Sequence, residues 1–361
     1  MSDGLRFAFF GSSLVSAYWN GACTYYRGLI RALHARGHAV TFYEPRAYAR
    51  QEHRDIDDPP YARVVIYEPT DAARVRAVVR EADAADVVVK TSGVGVFDDV
   101  LEAAVLELGG DALRIFWDVD APATLGRMEA DEDDSLRALI PAYDLILTYG
   151  GGRPVIDRYQ ALGGRRCEPI YNALDPDTHH PAPPDPAYAA DLALLANRLP
   201  DRERRVREFF FRAAALRPEL SFLLGGNGWS TPAPANVRCL GHVPPGAHNA
   251  VNCSARAILN VSRDGMAANG FSPATRVFEA AGAGACLITD AWEGVESFFD
   301  PDTEILIAQD GAQVATRLDE LDPDRAREIG AAARRRALAE HTYAQRAHRV
   351  ETVLAAELQG V

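Results

Sequence analysis

The stretch YNALDPDTHHPAPPDPAY (171–188) divides the chain. It is rich in proline and has neither a two-residue nor a 3.6-residue hydrophobic period, so it reads as a linker. On both sides of it, short apolar runs alternate with amphipathic helical patterns. Before it, Phe7–Phe10, Ala39–Tyr43, Val64–Tyr67, Val87–Val89, Leu113–Trp117 and Leu145–Thr148 are predicted strands. After it come Leu192–Leu195, Phe222–Leu224, Val237–Leu240, Ala257–Val261, Cys286–Thr289 and Glu304–Ile307. Short apolar strands separated by helices call for parallel sheets covered on both faces. The expected fold class is therefore α/β, with two Rossmann-like domains facing across a cleft. One long helix is expected near 201–216, and 324–358 is alanine- and arginine-rich and helical.

The length agrees with two domains, because 361 residues exceed one ordinary core. A net charge of −13 argues against a nucleic-acid or anionic-membrane partner, since both need a positive footprint. The five cysteines are scattered with no C-x-x-C pair, which suggests neither a disulfide framework nor a zinc site. No histidines stand at H-x-x-x-H or H-x-H spacing, and His179-His180 in the linker is expected to be solvent-exposed. Neither spacing suggests a metal site, and no cofactor is expected. The N-terminal MSDGLRFAFF lacks the basic start of a signal peptide, and no apolar run approaches the ~18–20 residues that span a bilayer. A cytoplasmic protein is the expectation.

In open α/β sheets, ligands sit beyond the carboxyl ends of the strands. The segment FSPATRVFEAAGAGA (271–285) is the strongest candidate there. Ser272 suits an N-cap and Pro273 the first helical position, which places Thr275 third in the helix. A helix start attracts phosphate through free N–H groups and its dipole, and Thr275 and Arg276 would add a hydroxyl and a charge. Glu279, one turn deeper on the same face, stands where it can accept hydrogen bonds from ribose hydroxyls. The competing reading is a capped core helix with an intrahelical Arg276–Glu279 pair. The preceding loop SRDGMAANG (262–270), with Arg263 and Gly270, is either a close backbone approach to a ligand or a plain surface loop.

Gly225, Gly226 and Gly228 follow a strand, in a turn that can present N–H groups to a diphosphate or can simply be tight. Arg198 and Arg202, in ANRLPDRERR, either face a ligand or belong to a solvated helix face. In the first domain, Gly11-Ser12-Ser13 lacks G-x-G-x-x-G, which argues against a dinucleotide site despite Glu44 near the end of the second strand. Asp118 and Asp120, just past a strand, could bind Mg²⁺, supply a general base or cap the next turn. KTSGVGVFDD (90–99) is a further glycine-bearing post-strand loop.

Together these segments resemble one family. FFGSSL, TYYRGLIRALHARGHAVTFYE, FWDVDAPATL, YNALDPDTHHP, LLANRLPDRE, LLGGNGW, LGHVP, LNVSRDGMAANGFSPATRVFEAAGAGACLITD and EILIAQDG are similar, in order, to nucleotide-sugar glycosyltransferases of the GT-B fold, in the group-1, CgeB-like branch. The resemblance implies an N-terminal acceptor domain over 1–172, joined by the C-terminal helix at about 342–361. It further implies a linker over 173–188 and a donor domain over 189–341. It implies phosphate contacts from Arg198, Arg202 and the Gly270-Phe271-Ser272-Pro273-Ala274-Thr275 loop and helix start, with Gly226, Asn227, Gly228, Arg263 and Arg276 as further donor contacts. Ribose would be held by Glu279, and the base by Gly241-His242-Val243.

Gly11 and Ser12 count among the donor contacts, although their loop, the 92–97 loop and Asp118–Thr124 would receive the acceptor. Ser92, Gly93, Trp117 and Thr124 are its implied acceptor contacts. Phe271 stands where many retaining relatives carry the first glutamate of Glu-x7-Glu, so stereochemistry is not assigned. Asp120, with Asp118 behind it, is the base if the reaction inverts. The implied reaction moves a sugar from a UDP- or dTDP-type donor to an acceptor hydroxyl without a metal. The alternatives are a non-hydrolysing nucleotide-sugar epimerase and a non-catalytic sugar- or nucleotide-binding protein.

Overall fold

The structure is a computed structural model that describes residues 4–18, 20–229 and 233–359. It divides into two compact units, one running to Tyr171 and resuming at Tyr343, the other spanning Asn172–Thr342.

The first unit is built on seven parallel strands: β1 (Arg6–Phe10), β2 (Ala39–Pro45), β3 (Arg63–Tyr67), β4 (Val87–Thr91), β5 (Leu113–Asp118), β6 (Leu145–Thr148) and β7 (Cys167–Pro169). Their order is β3-β2-β1-β4-β5-β6-β7. All six expected strands form. β7 is too short, and too close to a proline, to announce itself as an apolar run. The helix Cys23–Ala35 buries Tyr25, Leu29, Ile30 and Leu33 against the sheet. It ends before Gly37, whose φ of +93° needs no Cβ penalty to be met. A Cβ on Gly28 in that helix would lie 2.2 Å from the Tyr343 ring. The missing side chain thus lets the C-terminal helix Tyr343–Gln359 pack closely on it.

The second unit repeats the plan with β8 (Ala190–Leu195), β9 (Phe222–Gly225), β10 (Val237–Gly241), β11 (Ala255–Asn260), β12 (Leu287–Asp290) and β13 (Leu306–Ala308). Their order is β10-β9-β8-β11-β12-β13, again all parallel. The helix expected near 201–216 is continuous in path but widens to a π-turn over Arg207–Phe211, where Phe209 and Phe210 both enter the core. The 324–358 segment is two helices, Pro323–Glu340 and Tyr343–Gln359, with His341 leaving helical geometry between them.

Residues 172–188 hold no sheet strand, yet they lie along the second unit. Leu174 bridges to Thr342, the Ala182 N–H meets Cys253 Sγ at 3.3 Å, and the Asp185 N–H donates to Ser254 Oγ at 2.8 Å.

In both sheets the strand order reverses beside the first strand, between β1 and β4 and between β8 and β11. The loops leaving those strands are where such a sheet receives a ligand.

Candidate functional site

In the first unit the loops after β1, β4 and β5 turn their polar groups on one another. Asp118 is fully buried. Its Oδ1 accepts from Ser92 Oγ at 2.7 Å, Thr124 Oγ1 at 2.9 Å and the Asp120 N–H at 2.9 Å, and its Oδ2 accepts from Tyr159 OH at 2.5 Å. Desolvation pushes its pKa up, against those four donors. Asp118 is thus a structural carboxylate that ties the loop after β4 to the helices Ala121–Ala130 and Gly152–Ala161, not one presented to a substrate. Ser92 and Thr124, implied acceptor contacts, spend their hydroxyls on it.

Trp117 is buried as well, donating Nε1–H to Tyr25 OH at 3.0 Å, so its indole belongs to the core. Gly93 is exposed, with φ +69°. Asp120 stands half-buried at the start of the helix Ala121–Ala130 and makes no side-chain cap bond there. Of the two aspartates, it is the one with solvent exposure.

Gly11 is explained by packing, since a Cβ there would lie 2.4 Å from Phe42 Cζ. Ser12 is buried, donating to Asn20 Oδ1 at 3.0 Å and accepting at its carbonyl from Arg50 at 3.2 Å. Glu44 braces the same loop, accepting from Ser13 Oγ at 3.0 Å and the Leu14 N–H at 2.7 Å. The sequence also does not reveal that Lys90, the only lysine, is fully buried. Its Nζ lies 2.7 Å from Asp98 Oδ1 and 3.8 Å from Glu102 Oε1. Desolvation lifts Glu102 to about 7 despite the lysine.

The second unit is arranged differently. The helix carrying the strongest candidates runs Thr275–Ala283, and its N-cap is Ala274, with no side-chain cap. Ser272 is therefore not the cap. Its hydroxyl donates to the Gly270 carbonyl at 2.8 Å, holding the loop instead. Pro273 precedes the helix, its carbonyl taken by Asn172 Nδ2 at 3.1 Å, and Thr275 is the first helical residue rather than the third. The Thr275 hydroxyl donates to Asn172 Oδ1 at 3.3 Å. Asn172, unnoticed in the sequence, thus pins the helix start from both sides. A helix start without a cap keeps N–H groups and a dipole end available to an anion.

The loop before it is strained. Gly270 has φ +66°, and Phe271, a bulky residue, has φ +43°. Such a conformation costs roughly 1–3 kcal/mol and persists where surroundings enforce it. Here the Phe271 N–H donates to the Glu293 carbonyl at 2.6 Å, and its ring fills the space a Cβ on Gly294 would need. Behind the loop, buried Asp290 accepts from Arg205 at 2.6 Å, the Ser262 N–H at 3.0 Å and Ser262 Oγ at 3.1 Å.

Arg276 and Glu279 do not close on each other. Arg276 donates to Asn260 Oδ1 at 3.1 Å, and burial lowers its pKa against the pull of Glu279 and Asp290. Glu279 Oε1 instead faces His179 Nε2 at 3.7 Å, with both side chains largely buried. His179 is therefore not solvent-exposed as expected, although His180 is. His248, the first residue of the helix His248–Ser254, completes the group. One ligand atom from each of His179, His248 and Glu279 lies within 4.8 Å of the others. Burial lowers the His248 pKa, and Glu279 raises it. No local spacing announces this cluster, because its members come from three separate segments.

The glycine turn after β9 packs onto the loop after β8. A Cβ on Gly226 (φ +133°) would sit 2.0 Å from the Ala196 carbonyl oxygen. Two of the N–H groups expected to face a diphosphate are already used, Gly226 by the Gly241 carbonyl at 2.6 Å and Asn227 by Asn197 Oδ1 at 2.9 Å. Gly228 has φ +87° and lies against Arg198. Arg198 is exposed and donates Nε–H to Glu203 at 2.7 Å, Arg202 is half-buried, and Arg263 pairs with Asp201. Gly241 and His242 are exposed, while Val243 is buried beside Gly225.

Among the described residues no helix is long and apolar enough to cross a membrane. Residues 202–352 match a family model described as Glycosyl transferase-like. No curated protein matches the chain. Solved structures of the same fold include sucrose-phosphate synthase from Thermosynechococcus elongatus, at 14% identity and TM-score 0.70 over 99% of this chain and 100% of that one. An Anabaena protein solved with UDP and glucose matches at 12% identity and TM-score 0.66, covering 98% of this chain and 100% of that one. A glycosyltransferase of avilamycin A biosynthesis matches at 17% identity and TM-score 0.63, over 99% of each. The chain has the two-domain GT-B fold.

Proposed function

We propose that the protein is a glycosyltransferase that moves a sugar from a nucleotide diphosphate sugar, of UDP or dTDP type, to an acceptor hydroxyl without a metal. The observation that carries this reading is the uncapped start of the helix Thr275–Ala283 with Glu279 one turn inside it. The pairing of an anion-binding helix end with a carboxylate one turn on suits a diphosphate joined to a ribose. A solved relative of the same fold holds UDP and glucose, which supports the same chemistry here.

In this reading the second unit binds the donor. The N–H groups of the helix start, with Arg198 and Arg202, stabilise charge that develops on the departing diphosphate. Glu279 accepts from the ribose hydroxyls, and the exposed Gly241-His242 stretch meets the base. The first unit receives the acceptor, and Asp120 is the base for its hydroxyl if the transfer inverts configuration.

A thermal-shift panel of UDP, dTDP, GDP and ADP sugars tests the reading, because a ligand that binds only the folded state raises Tm. A rise with a UDP or dTDP sugar is expected, and no rise with any member contradicts it. Transfer is expected to survive EDTA, and its loss on chelation would overturn the metal-free scheme.

A further inference from the structure

The geometry points to a binding site for a divalent transition-metal ion of the zinc class, formed by His179, His248 and Glu279. Two imidazoles and a carboxylate are a ligand set that such ions accept. Around a tetrahedral centre with bonds of about 2.0–2.1 Å, adjacent ligand atoms stand roughly 3.3 Å apart. His179 Nε2 and Glu279 Oε1 are already 3.7 Å apart, and the whole set lies within 4.8 Å, so modest side-chain rotations bring it to that spacing.

A hydrogen bond on the far side of the His179 ring strengthens the case. Thr178 Oγ1 lies 3.2 Å from the Asp175 carbonyl and 2.9 Å from His179 Nδ1. The hydroxyl has one proton, and the carbonyl can only accept it. When the hydroxyl gives its proton to that carbonyl, it accepts Nδ1–H from His179, and the Nε2 lone pair is then turned toward the Glu279 carboxylate. In that tautomer two acceptors face each other at 3.7 Å, a gap that a cation fills. A ligating imidazole characteristically has its other nitrogen held in this way, and such support is worth about 10–100-fold in metal affinity.

An ion held here engages the carboxylate assigned to the ribose, so it inhibits donor binding. The ion site stands on its own geometry, whereas the inhibition rests on the functional reading above.

The test is calorimetric titration of Zn²⁺ into tag-free, full-length protein carrying Cys239→Ser, which removes the exposed thiol. One equivalent is expected to bind, with affinity falling at least tenfold in His179→Ala, in His248→Ala and in Glu279→Gln. Thr178→Val, which keeps all three ligands, is expected to weaken Zn²⁺ about tenfold. Circular dichroism identifies any variant that has lost its fold, and the comparison then runs on those that keep it.

Absence of binding, or binding unchanged in the folded variants, overturns the ion site. Uridine, which has a ribose but no phosphate to chelate the ion, is then titrated with and without one equivalent of Zn²⁺. A tenfold weakening supports the inhibition. Unchanged uridine affinity in zinc-loaded protein overturns the ribose assignment while the ion site stands. Protein that binds uridine but no Zn²⁺ does the reverse.

Discussion

The two sheets share one topology, yet the ends of their strands are finished in opposite ways. In the first unit, Asp118, Ser92, Thr124, Tyr159, Ser12 and Glu44 form hydrogen bonds that close within the protein. In the second, an exposed arginine stands on the loop after β8, and the Glu279 carboxylate faces His179 Nε2 at 3.7 Å, beyond hydrogen-bond reach, with His248 beside them. Both regions are rich in the residue types that serve chemistry. What separates a scaffold from a ligand site is whether the polar groups are satisfied without a ligand. Buried polar groups that satisfy one another hold loops, whereas groups left with unmet demand have something to offer a substrate.

The comparison breaks most readily at Asp118. Asp118→Ala leaves three hydroxyls and one N–H without their acceptor, and is expected to lower stability by about 3–5 kcal/mol. Urea unfolding measures it, and a loss under about 1 kcal/mol would mean the network is not what holds these loops.

Next is the buried Lys90–Asp98–Glu102 cluster. Burial holds Glu102 at about 7, while an ordinary glutamate titrates near 4.5. Between those values the folded protein keeps a proton that the unfolded chain releases, so stability falls as pH rises through that window. The expected fall is on the order of 2–3 kcal/mol. Asp98, desolvated but held low by Lys90, has the opposite dependence, at pH below the usual aspartate range. Glu102→Gln is expected to flatten the slope between pH 4.5 and 7 in chemical denaturation, and an unchanged slope would assign it elsewhere.

A smaller effect is expected at Arg198. Arg198→Ala should weaken UDP binding about tenfold, and weaken uridine little, because a cation on the diphosphate has no role toward the nucleoside. Equal losses for both ligands would place Arg198 away from the phosphates. The smallest effect is expected at Thr275, whose hydroxyl is already given to Asn172. Thr275→Val should change UDP affinity less than threefold by calorimetry. A larger loss would show that the hydroxyl turns to the ligand.

The strand–helix alternation was legible in the sequence because it follows from local periodicity, whereas the stretch 262–270, read as a loop, contains the short helix Asp264–Asn269. Glu279 was legible for the same reason, being one turn from a helix start. What the sequence hid depends on groups that the fold brings together from afar. Asp118 looked catalytic beside Asp120, and only the folded chain supplies Ser92 and Tyr159 to close it off. His179 looked exposed in a proline-rich stretch, yet that stretch lies along the second unit and turns the ring toward Glu279. The helix start shifted because Ser272 and Pro273 are engaged by Gly270 and Asn172, an interaction no cap rule contains.

The central claim is that the start of the helix Thr275–Ala283 and Glu279 hold a nucleotide diphosphate. Calorimetric titration of UDP into wild-type and Glu279→Gln protein tests it most directly. Charge-assisted hydrogen bonds of about 1.5–3 kcal/mol predict a loss of roughly 10–150-fold in affinity, with the melting temperature of the ligand-free protein little changed. Equal UDP affinity in the two proteins would contradict the account.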